Sequence, residues 1–290
     1  MSELIGSLEP IVRINRDMTK ALRSGGPGGV TDNEVRFLVD MYYSIQKQRV
    51  QASNRVKGLE RDAEKEGNDA EPHDVLAWMF GQMDTLENQV KRVLAIYVET
   101  HGMNWFFDQT LGIGPVLASG LLAHIDIHQA PTVGHIWNFA GLNPDMEWKK
   151  GQKRPHNAQL KTICWKIGDS FVKLSGRDDA FYGQVYKKRK EREVAKNDAS
   201  EFADQAAKKL EKYKIGKNTD AYKFYSNGKL PPAHLDMRAR RYAVKLFLSH
   251  LHQCWHEQEI SAVPKPFAVE HLGHAHVIKP PQTRPADMAA

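Results

Sequence analysis

The chain has only two cysteines, Cys164 and Cys254, too few for a disulfide framework, which points to a reducing compartment. It has no stretch approaching the roughly 18 apolar residues that a membrane-spanning helix needs. Its first residues, MSELIGSLEPIVRINRDM, carry acid early and no apolar core, so no secretory signal is read there. No membrane and a cytoplasmic location are therefore expected. The CxxC and HExxH signatures of zinc sites are missing as well. What is there is an ordinary soluble composition, 26% charged and 41% hydrophobic over 290 residues, enough to bury one large core or two smaller ones.

Charge is present but uneven. The net charge is +6, yet residues 148–192 hold 13 Lys and Arg against four Asp and Glu, a balance of +9 that leaves −3 for the other 245 residues. A basic block inside a slightly acidic chain is the footprint of a phosphate-binding face, and equally of a solvated lysine-rich helix.

Residues 1–32, which include SGGPGGVTD, read as a flexible N-terminal arm. Thr31 and Asp32 are N-cap residues for a long helix. Within it Val35, Leu38, Tyr42, Ile45, Arg49, Ala52, Val56 and Leu59 recur at alternating spacings of three and four, a heptad seam. EKEGNDAEPHD breaks it at Gly67, Asn68 and Pro72, and a second seam follows in Leu76, Met79, Met83, Leu86, Val90, Val93 and Tyr97. The pair predicts a coiled-coil helical hairpin over 33–100, with a homodimer through it as the expected assembly.

The segment TLGIGPVLASGLLAHI, residues 110–125, poses a different problem. Gly112 and Gly114 flank Ile113 and permit backbone angles closed to other residues. Pro115 suits the first position of the next helix. Ala118, Ser119 and Gly120 let that helix pack closely on its predecessor. The pattern is helix, tight hairpin, helix, whose backbone N–H groups can hold a phosphate without reading sequence. A dinucleotide fingerprint would need a third glycine at 117, where Leu117 stands, and a preceding strand.

GIGPVLASGLLAHI, then FAGLNP, then KGQKRPHNAQLK, then FYGQVYKKRK, lying behind a coiled coil, resemble the C-terminal domain of a transposase family. These are the insertion-sequence transposases that join a DEDD-type RuvC-like nuclease domain to a helix-hairpin-helix serine domain and use a bridging RNA. The resemblance covers about 105–192 and 235–256, interrupted by a charged insertion at 193–234 read as an exposed helix. It implies an all-α fold: a coiled-coil hairpin, then a helix-hairpin-helix domain over 101–260, then an extended or disordered tail over 261–290. About 32 residues precede the coiled coil, too few for the nuclease domain, so its four metal-binding acids have no counterpart here. The family's serine nucleophile falls in a segment that reads DMEWKKGQKRPHN here, residues 145–157, without Ser or Thr. Ser119, Ser170 and Ser175 lie on predicted helices, with no activating base evident. The expectation is a binding protein rather than an enzyme, with a separate nuclease subunit as a possible partner.

The binding chemistry assigns as follows. Gly112, Ile113 and Gly114 present the backbone nest and Val116 opens the helix behind it. Lys149, Lys150, Lys153, Arg154 and Lys161 lie in or beside a glycine-containing loop; Lys187, Lys188, Arg189, Lys190 and Arg192 form a second cluster. Trp148, Trp165 and Tyr186 interleave with charge and can stack on bases, but Trp165 also fits a core stripe with Ile163, Ile167 and Phe171, and that reading is preferred for it. DNA, structured RNA or both are the expected partners. No cofactor is expected, and zinc or magnesium enters only if the protein is a catalyst, whether a recombinase subunit or a metal hydrolase. For that reading His252 and His256, with His250 and Cys254 beside them, have the i, i+4 spacing of helical metal ligands. His271, His274 and His276 follow. These are read first as surface histidines at a helix end. The remaining class is a regulatory protein whose basic face meets an acidic protein.

Overall fold

A computed structural model describes residues 12–24, 29–67, 74–144, 146, 148–260 and 277–285. Among them the chain is all-helical, with eleven α-helices and no strand. It divides into two compact units: Met1–Asn104 with Pro115–His124, and Trp105–Gly114 with Ile125–Ala290.

The first unit begins with a correction. Part of the expected flexible arm is helix α1 (Arg16–Arg23), capped by the Asn15 side chain on the Met18 N–H. The Gln89 carboxamide oxygen accepts from the Ile14 N–H at 2.8 Å, and Arg23 pairs with Glu99 at 2.9 Å, so α1 lies along a later helix. Residues 1–11 and 25–28 of the arm lie outside the described residues. Thr31 then caps α2 (Asp32–Glu66) as expected: its hydroxyl accepts from the Glu34 N–H while the Glu34 carboxylate accepts from the Thr31 N–H. That reciprocal cap satisfies two donors the helix cannot. Gly67, left-handed at φ 69°, ends α2 where the sequence breaks; Asn68 and Pro72 lie outside the described residues.

Helix α3 (Asp74–Thr100) returns antiparallel to α2. Tyr97 donates to Asp32 at 2.7 Å near one end, and Arg49 pairs with the buried Glu87 farther along. The seam is buried only on the inner half: Val35, Tyr42, Ile45, Val90 and Tyr97 are covered, whereas Leu59, Leu76 and Met79 are exposed. Val39, Leu94, Ile96 and Val98, outside the heptad seam, are also buried. The reason is a third element. Helix α5 (Pro115–His124) packs against both long helices, and a helix covered on several sides is no longer patterned by one seam. Its buried Ala118, Ser119 and Gly120 allow the close approach to α2 and α3. Arg36 caps its end by donating to the Ala123 carbonyl at 2.6 Å.

The second unit is built round one long helix, α11 (Pro232–Glu259). Against it pack α6 (Val133–Phe139), α7 (Ala158–Lys173) and α8 (Phe181–Asp198), with a 3-10 turn at Ile127–Gln129. Short α4 (Asn104–Asp108) supplies Phe106, whose ring centroid lies 5.8 Å from that of Phe247. Phe171 and Tyr182 close the aromatic core on the same Phe247 at 5.7 and 5.3 Å. A Cβ at Gly183 would meet the Leu174 carbonyl oxygen at 2.8 Å, so only glycine lets α8 turn in over the end of α7.

The charged insertion is not one exposed helix. Helix α8 runs through its first residues to Asp198, and α9 (Ala203–Lys212) and α10 (Asp220–Ser226) follow. They enclose a small core of Ala206, Leu230 and Leu235 under Phe202 and Tyr225. The carboxamide of buried Asn197 clips both the N–H and the carbonyl of Leu230. Residues 277–285 carry no helix or strand but are tied down. Gln282 is buried and donates to Thr110 Oγ1 at 2.7 Å, and Thr283 and Gln109 exchange two hydrogen bonds. Residues 261–276, with His271, His274 and His276, and residues 286–290 lie outside the described residues.

Candidate nucleic-acid interface

The Gly112-Ile113-Gly114 turn is tight, as expected, but its three residues play different parts. Gly112 has φ 91°, and its carbonyl accepts from Ser170 Oγ at 2.7 Å. The Ile113 N–H is spent on the Thr110 carbonyl at 3.2 Å, and the Ile113 side chain is buried. Gly114 is exposed, its φ is not positive, and a Cβ there would meet nothing within 4 Å. Gly114 is thus the exposed glycine of the turn, while Gly112 is structural. Val116 belongs to the first unit, its side chain in that unit's core. Thermal melts check the distinction. Gly112→Ala, strained at positive φ and 2.7 Å from Leu174 Cδ1 and Ser170 Oγ, is expected to lose about 1–3 kcal/mol, whereas Gly114→Ala stays within about 0.5 kcal/mol of wild type.

The FAGLNP and KGQKRPHN blocks form one loop pinched at its base. The Asn157 N–H donates to the Phe139 carbonyl at 2.8 Å where the loop closes, and Asn157 Oδ1 caps α7 on the Leu160 N–H at 2.9 Å. Gly141 at φ 64° lies under the His156 ring, where a Cβ would come within 2.8 Å. Inside the loop Trp148 Nε1 donates to the Gln152 carbonyl at 2.8 Å, and the Arg154 guanidinium stands 5.5 Å from the Trp148 ring centroid. Lys149, Lys150, Lys153, Arg154 and Lys161 are all exposed, and among the described residues none enters an ion pair. Residues 148–168 contain six cations and no acid. Burial, then the charges of Lys161 and Arg154, hold His156 below the usual histidine value.

The second basic cluster divides. Lys187, Lys188 and Arg192 are exposed and enter no ion pair among the described residues. Arg189 and Lys190 are committed to the fold. Arg189 Nη2 lies 2.5 Å from Glu193, whose other oxygen is 2.7 Å from Arg238, and Glu193 is fully buried. Lys190 meets Asp236 at 3.0 Å; Arg240 bridges Asp236 at 2.6 Å and Asp169 at 3.3 Å; Lys173 completes the lattice on Asp169 at 2.8 Å. Burial pushes the Glu193 carboxyl up, but Arg238 and Arg189 outweigh it and hold the group below the usual carboxylate range. Tyr186 is buried, its hydroxyl donating to Asp236, so it is no stacking platform.

Trp165 corrects the expectation in the other direction. It is 53% exposed, more than Trp148 at 47%. The buried positions of α7 are Leu160, Ile163, Cys164, Ile167, Gly168 and Phe171. Residue 165 is about 200° round the helix from both 163 and 167, so the stripe drawn through all three had strand spacing. Lys161, exposed one turn earlier, shares its face.

Three of the histidines expected at the surface are not there, whereas His271, His274 and His276 lie outside the described residues. His250, His252 and His256 are all buried, and the Nε2 atoms of His252 and His256 both lie against the Ala130 carbonyl, at 2.7 and 2.9 Å. Burial pushes the Cys254 thiol up to about 12. Among the described residues no three His, Cys, Asp or Glu side chains gather where they could hold a metal ion. The three serine hydroxyls are likewise spent on backbone: Ser119 on Val116, Ser170 on Gly112, Ser175 on Val172. Among the described residues no helix is long and apolar enough to cross a membrane. Compared with known proteins, the chain matches no family model, no curated protein and no solved structure.

Proposed function

We propose that the protein holds structured DNA or RNA through its phosphates, as a transposase-like binding protein. One observation carries this reading: the cations of the second unit are sorted. Arg189, Lys190, Arg238, Arg240 and Lys173 are paired within the fold with Glu193, Asp236 and Asp169, while Lys149, Lys150, Lys153, Arg154, Lys161, Lys187, Lys188 and Arg192 are exposed and enter no ion pair among the described residues. A merely solvated face has no need of that division, whereas a polyanion does. The metal-hydrolase reading is weaker, since His252 and His256 spend Nε2 on one carbonyl.

The test is fluorescence anisotropy with duplex DNA, branched DNA and hairpin RNA across a salt series. Each phosphate neutralised by the protein adds about −0.9 to the slope of log K against log salt on duplex, so a steep slope is expected. No binding of any of the three at low salt contradicts the proposal. The exposed outer seam, Leu59, Leu76 and Met79, is where a second copy would pair. Sedimentation is expected to show a dimer that Leu76→Glu dissociates, and a monomer at every concentration counts against pairing.

A further inference from the structure

We propose that the second unit carries a site for an unpaired nucleic-acid strand, with Trp148 and Trp165 as base-stacking platforms and Arg154 and Lys161 gripping the phosphates between. This rests on the nucleic-acid reading above and names its substrate class. Two tryptophans about half exposed are unusual, because each leaves a large apolar ring in water that burial would stabilise. Neither is loose. Trp148 is fixed by its indole N–H on the Gln152 carbonyl, and Trp165 stands on the outer face of a capped helix whose opposite face is core. A ring held in place stacks on a base with little further loss of freedom.

The cations join the two platforms. Arg154 stands over the Trp148 ring, and Lys161 lies one helical turn before Trp165; both bear on His156, which packs over Gly141. The absence of any acid from 148 to 168 means an approaching phosphate meets no repulsion in this stretch. In a duplex the base faces are already stacked and hidden, so an aromatic platform gains nothing from it. An unpaired strand presents those faces. The same charges disfavour a second copy of this chain on the patch, since a self-complementary contact would set six cations against six.

The experiment compares an oligothymidylate of about a dozen nucleotides with a duplex of equal length at equal salt. It is read by anisotropy and by quenching of tryptophan fluorescence, on wild type, Trp165→Ala, Trp165→Phe and Trp148→Ala. The strand is expected to bind more tightly than the duplex and to quench. Trp165→Ala should weaken strand binding about tenfold and Trp148→Ala at least severalfold, with Trp165→Phe near wild type and duplex affinity unchanged. Because the chain has six tryptophans, the share of the quenching that comes from Trp165 is assigned by its decrease in Trp165→Phe. Steep salt-dependent binding that is equal for strand and duplex and indifferent to both alanine variants overturns the stacking site and leaves the phosphate reading standing. No binding of either nucleic acid at low salt overturns both. A Trp165→Ala variant that changes the oligomeric state by sedimentation while strand affinity holds overturns the site in favour of a protein interface.

Discussion

Glu193→Ala is expected to lower the stability of the second unit by about 3–5 kcal/mol. At about 2–4 °C per kcal/mol for a unit of this size, the melting temperature falls by on the order of 10 °C. The carboxylate is fully buried and is the shared acceptor of Arg189 from its own helix and Arg238 from α11. Removing it leaves two partly buried guanidinium groups, 28% and 27% exposed, facing each other without a counter-ion. The loss reflects stranded charge more than the missing attraction, and this has a check. Replacing all three residues by leucine should recover most of the stability, because taking ions out of water costs about what their pairing returns. A triple variant as unstable as the single would show that Glu193 matters for another reason. The same carboxyl is held below its ordinary value of 4.5, so its stabilisation is present above that pH and is lost as pH falls through the depressed folded value.

The second large effect comes at milder acidity, from histidine. Burial lowers both His250 and His252 to about 4 from 6.5. For His250 the neutral form fits its contacts: Nδ1 lies 2.8 Å from the Tyr182 hydroxyl and Nε2 2.8 Å from the Ile278 carbonyl, with Phe181 and Gln282 close by. His252 faces the Ala130 carbonyl and the ring of His256, whose centroid is 4.2 Å away, and feels the charge of His135. Above pH 6.5 neither the folded nor the unfolded chain protonates these rings. Below it the unfolded chain takes up protons that the folded one refuses, so stability falls from about pH 6.5 toward pH 4. At pH 5 the loss is about 2 kcal/mol for each ring. Urea midpoints at pH 7.5 and pH 5 should differ accordingly, and His252→Gln should remove about half the dependence. Equal midpoints would mean the rings are hydrated and titrate normally. His250 also holds the 277–285 segment through Ile278, so that segment should exchange its amides faster at pH 5 than at pH 7.5.

The helical character and the starts of the main helices were legible because their signals are local. Thr31 with Glu34, Gly67 and Asn157 act within four residues of themselves, so sequence order is enough to read them. Partnership was not legible. The small residues of α5 announced close packing, yet that they pack on the pair α2 and α3 depends on neighbours distant in sequence. Burial of Val39, Leu94 and Val98 follows from that third partner and could not be read from a two-helix seam. In the site, charge was visible and pairing was not. Arg189 and Lys190 look like Lys187 and Lys188 until Glu193 and Asp236 are placed beside the first two. Helical register alone would have found Trp165, since the Asn157 cap fixes the start of α7 and counting from Leu160 puts residue 165 outside. The His252 and His256 spacing was read correctly as one face; what it faces, the Ala130 carbonyl, lies over 120 residues away in sequence.

The most direct test of the account removes the outward cations and leaves the paired ones alone. Binding of hairpin RNA and duplex DNA is measured over a salt series for wild type and for a variant with Lys149, Lys150, Lys153 and Arg154 all changed to alanine. These side chains are exposed and enter no ion pair among the described residues, so the variant should melt within about 1 kcal/mol of wild type. Binding is expected to weaken tenfold or more at low salt, with a salt slope shallower by about 0.7–0.9 for each phosphate that the variant no longer neutralises. A variant that binds both nucleic acids with unchanged affinity and unchanged slope would contradict it.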